Sequence, residues 1–252
     1  VAHPEDLQAA LEGARRVAAS AFGDDTVYLE KMVPVARHVE VQVLGDAHGH
    51  LVHLGERDCS VQRRHQKVIE ESPSPAVDGE LRRRMTDAAL RVARAAGYVN
   101  AGTVEFLLDA EGNFYFLEVN TRLQVEHGVT ELVTGVDMVA LQIAVAGGEA
   151  LPFSQDDITF SGHALECRVY AEDPHNNFLP SIGRLDTYRP PTGEGIRVDD
   201  GYTEGMDIPI YYDPMIAKLV AFGKSRPEAI RRLLQAIEEY EIEGVATTLP
   251  FG

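Results

Sequence analysis

Hydrophobic and polar positions follow two periods along the chain, one typical of helices and one typical of strands. Over residues 4–22 apolar side chains recur every three or four positions, as on one face of a helix. Pro4 stands in the first turn of this segment beside two acidic residues, which suits the positive end of a helix. The same pattern predicts further helices over about residues 79–96, 136–146 and 227–240.

Short apolar runs bounded by turn-forming residues predict strands between these helices. The predicted strands cover about residues 27–33, 37–44 and 51–55, and a hairpin covers 103–108 and 114–120. After Gly147, Gly148 and Pro152 the pattern is mostly that of strands. We therefore predict an α+β fold in two parts, residues 1–150 and residues 151–252.

Composition excludes several classes of function. The chain has 23 basic and 40 acidic residues, and this acidic balance argues against nonspecific nucleic-acid binding, which needs basic surfaces. No apolar run reaches the roughly 18 residues of a membrane-spanning helix. The first residues lack the basic and apolar regions of a secretory signal, which favours a cytoplasmic location. Cys59 and Cys167 have no metal-ligand spacing and are expected to be reduced packing residues.

The predicted hairpin carries the strongest candidate for a metal site. If Glu111-Gly112 is a two-residue turn, Glu105 faces Glu118, and Asn120 lies on the same side as Glu118. Facing carboxylates repel each other unless a cation or a proton neutralises them. All-oxygen ligands suit Mg²⁺ or Mn²⁺, so these three side chains are predicted to bind one divalent ion. The alternative is a hairpin face whose charges point into water.

The segment after the hairpin adds a cation and a third carboxylate. Arg122 offers a planar group that suits a carboxylate, bicarbonate or phosphate. Glu126 follows closely enough to act as a base on an anion that Arg122 holds. An ion pair at the surface between Arg122 and Glu126 explains the same two residues equally well.

A basic stretch at residues 63–67 lies within a predicted loop, residues 56–71. Gln62, His65 and Lys67 can all reach an anion, whereas the two arginines between them are expected to be solvated or paired with acids. A solvated loop is the more common outcome for such a stretch. Upstream, the predicted strand over residues 28–33 can offer backbone groups to a flat base.

Several longer blocks of the sequence resemble one known family. They are Glu30-Lys31, residues 37–42, ERDCSVQRRHQK at 56–67, NTRLQVEH at 120–127, HALECRV at 163–169 and YYDPMI at 211–216. The blocks keep their order from about residue 26 to the end, which is more specific than any single motif. The sequence resembles the biotin carboxylases. This resemblance implies a partial ATP-grasp domain followed by a mostly β biotin carboxylase C-terminal domain, also incomplete.

The resemblance implies a reaction and its cofactors. The family couples ATP cleavage to the carboxylation of biotin on a carrier protein, using bicarbonate and Mg²⁺. By this resemblance the metal site comprises Glu105, Glu118 and Asn120, in agreement with the hairpin argument. The positions that match residues around the nucleotide are Glu30, Lys31, Val33, His38, Gln62 and His65.

The resemblance also implies a bicarbonate pocket and its base. Lys67, Arg122, Gln124 and Val125 resemble the residues of that pocket. Glu126 resembles the base that deprotonates bicarbonate for its attack on the γ-phosphoryl group of ATP, which gives carboxyphosphate.

A further carried-over residue belongs to the biotin step. Arg168 resembles the residue that stabilises the biotin ureido oxygen as it becomes anionic, a role that needs a fixed charge. Without the resemblance, Arg168 reads as a strand residue paired with Glu166 or Glu172.

The implied partners are a biotin carboxyl carrier protein or domain, a carboxyltransferase component and a second copy of the parent protein in a homodimer. The favoured final acceptor is an acyl-CoA. The family's N-terminal domain and glycine-rich loop would precede Val1, so we expect this chain alone to bind nucleotide weakly and to turn over little. Ala36 stands where the family usually has proline. Another ATP-grasp ligase and a noncatalytic remnant that serves in assembly stay open as alternatives.

Overall fold

Residues 4–22 fold as their apolar spacing predicts, with a 3₁₀ turn over Pro4–Asp6 followed by helix α1 (Leu7–Phe22). The helix ends at Gly23, whose φ of 74° is a left-handed conformation that glycine adopts without strain. The structure, a computed structural model, describes Val1 and residues 3–251. It divides into two compact units, Val1–Pro34 and Val35–Gly252.

The strand predicted over residues 27–33 is absent from the described part of the first unit, so that prediction is wrong. The backbone there has no regular structure, and the side chains of Tyr28 and Leu29 are largely exposed. A strand is defined by its ladder of hydrogen bonds to a neighbour, and among the described residues no strand pairs with this segment. An apolar segment forms a strand only when a neighbouring strand is available for backbone hydrogen bonds.

The second unit is built on strands β1 (Arg37–Gly45), β2 (Leu51–Arg63), β3 (Gln66–Ser72), β4 (Asn100–Leu108), β5 (Phe114–Asn120), β6 (His163–Tyr170), β7 (Glu172–Asp173), β8 (Leu179–Pro180), β9 (Gly183–Arg184), β10 (Thr187–Arg189), β11 (Ile196–Asp200), β12 (Asp207–Ile208), β13 (Met215–Gly223) and β14 (Glu241–Glu243). Eight of them form one antiparallel sheet in the order β11-β13-β6-β3-β2-β1-β4-β5. The remaining strands form the two-stranded pairs β10-β14, β12-β9 and β7-β8. The mixture of helices and antiparallel strands confirms the predicted α+β class.

The large sheet crosses the boundary predicted near residue 150. Strand β3 pairs with β6, which places Glu70 directly opposite Glu166. Strand pairing therefore joins residues from both predicted parts, and the division into 1–150 and 151–252 stays a prediction.

The loop predicted over residues 56–71 is wrong, because this segment forms most of the β2–β3 hairpin. Arg64 and His65 make its two-residue turn, with φ values of 51° and 65° that suit a type I′ turn. Many of the strands' polar residues, among them Glu56 and Arg57, are buried. Ionisable groups of the strands such as Glu56 and Arg57 are paired inside the protein, which a prediction based on polarity misses.

Four helices pack on the sheet: α2 (Gly79–Ala95), α3 (His127–Thr134), α4 (Met138–Ala146) and α5 (Arg226–Glu239). Helices α2, α4 and α5 confirm the predictions within a few residues. Helix α3 was not predicted, because eight residues are too few to show a clear period. Asp78 and Asp137 cap α2 and α4 by accepting hydrogen bonds from backbone N–H groups of the first turn.

Helices cover β6 and β13 from both sides. On one face, α5 packs on the strands in a core that includes Leu165, Leu219 and Leu233. On the other face, α3 packs on the alternate residues of these strands, including Ala164 and Val220. The alternation of side chains along each strand produces this division.

Among the described residues, no single helix has both the length and the apolar character needed to cross a membrane. Helices α3 and α4 together meet that criterion by length and composition only, and they are bent by 99° at their break.

Candidate active site

The β4–β5 hairpin brings the predicted metal ligands to one place. Glu105 pairs with Glu118 across the two strands, and Thr103 pairs with Asn120, as the sequence predicted. Glu105 and Glu118 are therefore direct neighbours on one face of the sheet. This register is the condition on which the metal prediction depended.

The predicted two-residue turn at Glu111-Gly112 is wrong. Beyond Glu105 the register shifts by one residue, so Phe106 pairs with Phe116 rather than with Leu117. The side chain of Asp109 accepts hydrogen bonds from the backbone N–H groups of residues 111 and 113, which closes a longer loop. A bulge in β5 then restores the predicted register at the metal face.

Glu105 is buried within a set of donors. Its carboxylate accepts hydrogen bonds from Asn120 Nδ2 at 3.0 Å and Gln124 Nε2 at 2.8 Å, and His38 Nε2 lies 2.8 Å from it. Lys67 Nζ lies 3.1 Å away. Burial acts to raise the pKa of Glu105, but His38 and Lys67 outweigh it and hold the pKa well below its usual range. The carboxylate is therefore ionised near neutral pH.

The donor set at this hairpin fits a hard divalent cation. Glu105 and Glu118 supply carboxylate oxygens, and Asn120 turns its amide nitrogen towards Glu105, which leaves its amide oxygen for another partner. Glu118 is exposed, in contrast to the buried Glu105. A second possible ligand cluster comprises His38, Glu40 and Glu105, whose ligand atoms lie within 4.8 Å of one another. Sequence reasoning did not identify Glu40.

Lys67 is the cation at the centre of the site. Its Nζ lies 2.6 Å from Glu40, 2.6 Å from Glu126 and 3.1 Å from Glu105. Burial acts to lower the pKa of Lys67, but Glu40 and the other carboxylates outweigh it and raise the pKa far above its usual range. Lys67 is therefore a permanent positive charge that joins three strands and the segment before α3.

Glu126 lies between two cations. One oxygen is 2.6 Å from Lys67 Nζ, and the other accepts a hydrogen bond from Arg168 Nη2 at 3.0 Å. The residue is only 2% exposed. The alternative of a surface ion pair with Arg122 is wrong, because Arg122 is exposed and donates instead to the backbone oxygen of Leu123.

Arg168 joins β6 to Glu126. Its Nε donates to Glu70 at 2.6 Å, while its Nη2 donates to Glu126. The pairing with Glu166 or Glu172 that the strand alone suggested is wrong, and Glu172 pairs with Arg63. Strand pairing places Glu70 on the neighbouring strand, within reach of Arg168, which the order along the chain does not reveal.

Arg57 lies at the centre of a buried hydrogen-bond network that was not predicted from the sequence. It is fully buried and donates to Glu40 at 2.6 Å, Gln42 at 2.7 Å and Gln124 at 3.0 Å. Gln124 in turn donates to Glu105, so Arg57 fixes the orientation of a predicted bicarbonate residue. Glu40 and Arg57 face each other on β1 and β2, so a correct strand register would have predicted this ion pair.

The residues predicted around the nucleotide fall into three sets. His38 and Gln62 lie together, with Gln62 Nε2 3.3 Å from His38 Nδ1, whereas His65 is exposed in the β2–β3 turn. The backbone oxygen of Val125 accepts a hydrogen bond from Lys218 Nζ at 2.9 Å, an anchor that the sequence did not suggest. Glu30, Lys31 and Val33 belong to the first unit, where Glu30 and Lys31 are exposed and Val33 is half-buried.

Two family models match the chain. One is described as the carbamoyl-phosphate synthase L chain, ATP binding domain, and matches residues 1–154. The other is described as the biotin carboxylase C-terminal domain and matches residues 166–252.

Curated relatives resemble almost the whole chain. Biotin carboxylase 1 of Bacillus subtilis is 53% identical over 98% of this chain and 55% of its own length. The biotin carboxylase of Halalkalibacterium halodurans is 52% identical over 99% of this chain and 55% of its own length. The chain thus spans about half the length of these relatives.

Solved structures have the same fold. A biotin carboxylase from Campylobacter jejuni in complex with β,γ-ATP is 48% identical, with a TM-score of 0.95 over 99% of this chain and 55% of its own. The biotin carboxylase domain dimer of 2-oxoglutarate carboxylase from Hydrogenobacter thermophilus, with MgADP, ADP and bicarbonate, is 48% identical, with a TM-score of 0.93 over 98% of this chain and 54% of its own.

Proposed function

The chain belongs to the biotin carboxylase family, with ATP-grasp and C-terminal domain folds, and from this membership we propose that its protein carboxylates biotin at the expense of ATP and bicarbonate. We propose the same two-part division, residues 1–150 and 151–252. The proposed partners are a biotin carboxyl carrier protein or domain, a carboxyltransferase component and a second copy of the same protein. An acyl-CoA as final acceptor and a cytoplasmic location belong to the same proposal.

One observation carries this proposal, the carboxylate of Glu126 held between two cations. Lys67 Nζ lies 2.6 Å from one oxygen, and Arg168 Nη2 lies 3.0 Å from the other. A carboxylate held in this place by two cations has a fixed position, from which it can accept a proton from a neighbouring anion. Such a base suits bicarbonate, which must lose a proton before its oxygen can attack a phosphoryl group.

In the proposed first step Glu126 acts as the base. Glu126 accepts the proton of bicarbonate, and a bicarbonate oxygen forms a bond to the γ-phosphorus of ATP. The bond from that phosphorus to the ADP oxygen breaks, and the products are ADP and carboxyphosphate. Arg122 and Lys67 hold the bicarbonate anion, and Gln124, fixed by Arg57, donates to it.

The remaining roles follow the positions of the side chains. Glu105, Glu118 and Asn120 would hold Mg²⁺ or Mn²⁺, which when bound neutralises charge on the phosphate oxygens of ATP. In the second step Arg168 stabilises the ureido oxygen of biotin as it becomes anionic. The ureido nitrogen of biotin forms a bond to the carboxyl carbon of carboxyphosphate, the bond from that carbon to the phosphate oxygen breaks, and the phosphate that leaves takes up the proton of the ureido nitrogen. Contacts from His38, Gln62, His65 and the Glu30–Val33 segment to the nucleotide are part of the same proposal.

The test is ATP hydrolysis that depends on bicarbonate, together with carboxylation of free biotin, in the full-length protein that carries this chain. Replacing Glu126 with Gln removes the base, and we expect a loss of at least about a hundredfold in both activities. Glu111→Gln is the matched control, since Glu111 is exposed and away from the site. Thermal melting of each variant checks that it is folded. A wild-type protein without bicarbonate-dependent ATP cleavage would contradict the proposal.

A further inference from the structure

Glu166 is a buried carboxyl group in the middle of the large sheet. It lies in the middle of β6 and is 0% exposed. Neither of its side-chain oxygens has a hydrogen-bond partner among the described residues. A carboxylate in such a place strongly destabilises the folded state unless a cation pairs with it or a proton neutralises it.

The charged groups around Glu166 do not pair with it. Glu70 stands directly opposite on β3, and it also has one oxygen without a partner. Arg168, on the same strand, donates to Glu70 and Glu126. Lys218, on β13, bonds to Asp199 and to the backbone oxygen of Val125.

The helices beside β6 supply no counter-ion either. On the face of Glu166, α3 brings Gly128, whose Cβ position would lie 3.4 Å from the Glu166 carboxyl, and the nearby His127. Burial and Lys218 lower the pKa of His127, which is therefore neutral near pH 7. Helix α5 packs on the opposite face of β6.

We propose that Glu166 is a positioning residue whose carboxyl group carries a proton at neutral pH. Because a protonated Glu166 adds no second negative charge beside Glu70, the Arg168 guanidinium keeps its hydrogen bond to Glu126. The inference rests on the proposed function, because Arg168 and Glu126 are its catalytic residues. Glu166 is fully buried, and we infer that it acts through Arg168.

Protonation is consistent with the surroundings of both acids. Burial raises the pKa of Glu166 well above its usual range, and Glu70 raises it further against Lys218 and Arg168. Burial also raises the pKa of Glu70 to about 7, although Arg168 opposes this. These two facing acids therefore ionise at higher pH than ordinary glutamates, and they share the available negative charge.

Ionisation of Glu166 would change the position of Arg168. Two adjacent carboxylates on β3 and β6 would attract the guanidinium and weaken its bond to Glu126. Glu126 would then lose the cation that orients it towards bicarbonate. Activity should consequently decline as the pH rises through the elevated pKa of Glu166.

The experiment compares the pH profiles of bicarbonate-dependent ATP hydrolysis for the full-length wild type, Glu166→Gln and Glu166→Met. Both variants remain neutral at every pH. In the wild type, each pH unit above the pKa of Glu166 reduces the fraction of molecules with a protonated Glu166 about tenfold. We expect the variants to lack this decline, so that their activity relative to the wild type rises about tenfold per pH unit in that range. Glu149→Gln, an exposed change elsewhere, should follow the wild-type profile.

Three results would overturn the inference. The first is an alkaline decline in folded neutral variants that coincides with that of the wild type. The second is loss of activity at every pH in folded Glu166→Gln and Glu166→Met while Glu166→Asp stays active, which would mean that a negative charge is needed. The third is failure of both neutral variants to fold where Glu166→Asp folds. The wild-type activity itself tests the proposed function separately.

Discussion

Arg168 and Glu126 come from distant parts of the chain, and the Nη2 of Arg168 donates to the Glu126 carboxylate at 3.0 Å. The contact joins β6 to the segment that precedes α3. It exists because β6 pairs with β3, which also supplies Lys67 to the other oxygen of Glu126. The base and its two cations are therefore assembled by strand pairing across the predicted division of the chain.

Replacement of Glu118 with Gln tests the metal site. Gln keeps the shape but removes one of two facing carboxylates, so the full-length protein should bind the divalent ion more weakly. We expect the Mg²⁺ concentration for half-maximal ATP cleavage to rise by at least about tenfold. Glu111→Gln in the same hairpin is the control. An unchanged Mg²⁺ dependence in Glu118→Gln would remove Glu118 from the metal site.

Replacement of Arg57 with Met tests the buried network under the site. The change removes one of the two cations that lie 2.6 Å from Glu40, and it removes the hydrogen bond to Gln124. We expect the free energy of unfolding to fall by about 3–5 kcal/mol, as is typical when one partner of a buried ion pair is removed. Urea unfolding measures this loss. Arg91→Met, an exposed change on α2, should alter stability little.

A double replacement tests whether Glu40 and Arg57 stabilise each other. Because Glu40 is the direct partner of Arg57, Glu40→Gln with Arg57→Met should cost less than the sum of the two single changes. Additive losses would mean that the two side chains do not stabilise each other.

Asp46 should make stability depend on pH in the acid range. Its buried carboxylate accepts backbone N–H groups of His48, His50 and Leu151, and it bonds to the His50 ring. Burial acts to raise the pKa of Asp46, but the Leu151 and His50 hydrogen bonds outweigh it and lower the pKa well below its usual range. A depressed pKa stabilises the folded state above the unfolded pKa of about 4, and this contribution is lost as the pH falls further.

The Asp46→Asn variant checks the sign of this effect. At pH 7 it should be less stable than the wild type, and the difference should shrink as the pH falls below about 4. Urea unfolding at several pH values measures the difference. A gap between variant and wild type that is independent of pH would contradict the assignment, and Asp87→Asn, an exposed change on α2, is the control.

The sequence by itself determined the helices and strands that have a strong local hydrophobic period. It also determined which side chains share the metal-binding face of the β4–β5 hairpin. Helices such as α2 and α5 were predictable because apolar spacing is a local property. Glu105 and Glu118 were correctly predicted to face each other, but the predicted turn was wrong, and the bulge in β5 compensates for the longer loop. Even there, the bulge and the loop closed by Asp109 depended on side-chain hydrogen bonds that polarity does not reveal.

Only the tertiary structure decided which charges meet. The basic segment that was predicted as a solvated loop is a pair of strands, and its Lys67 lies within ion-pair distance of three buried carboxylates. Glu40, Arg57 and Glu70 were missed because their partners lie on neighbouring strands, far away along the chain. The free energy of a buried charge depends on its neighbours in space, and pairing between distant strands determines those neighbours.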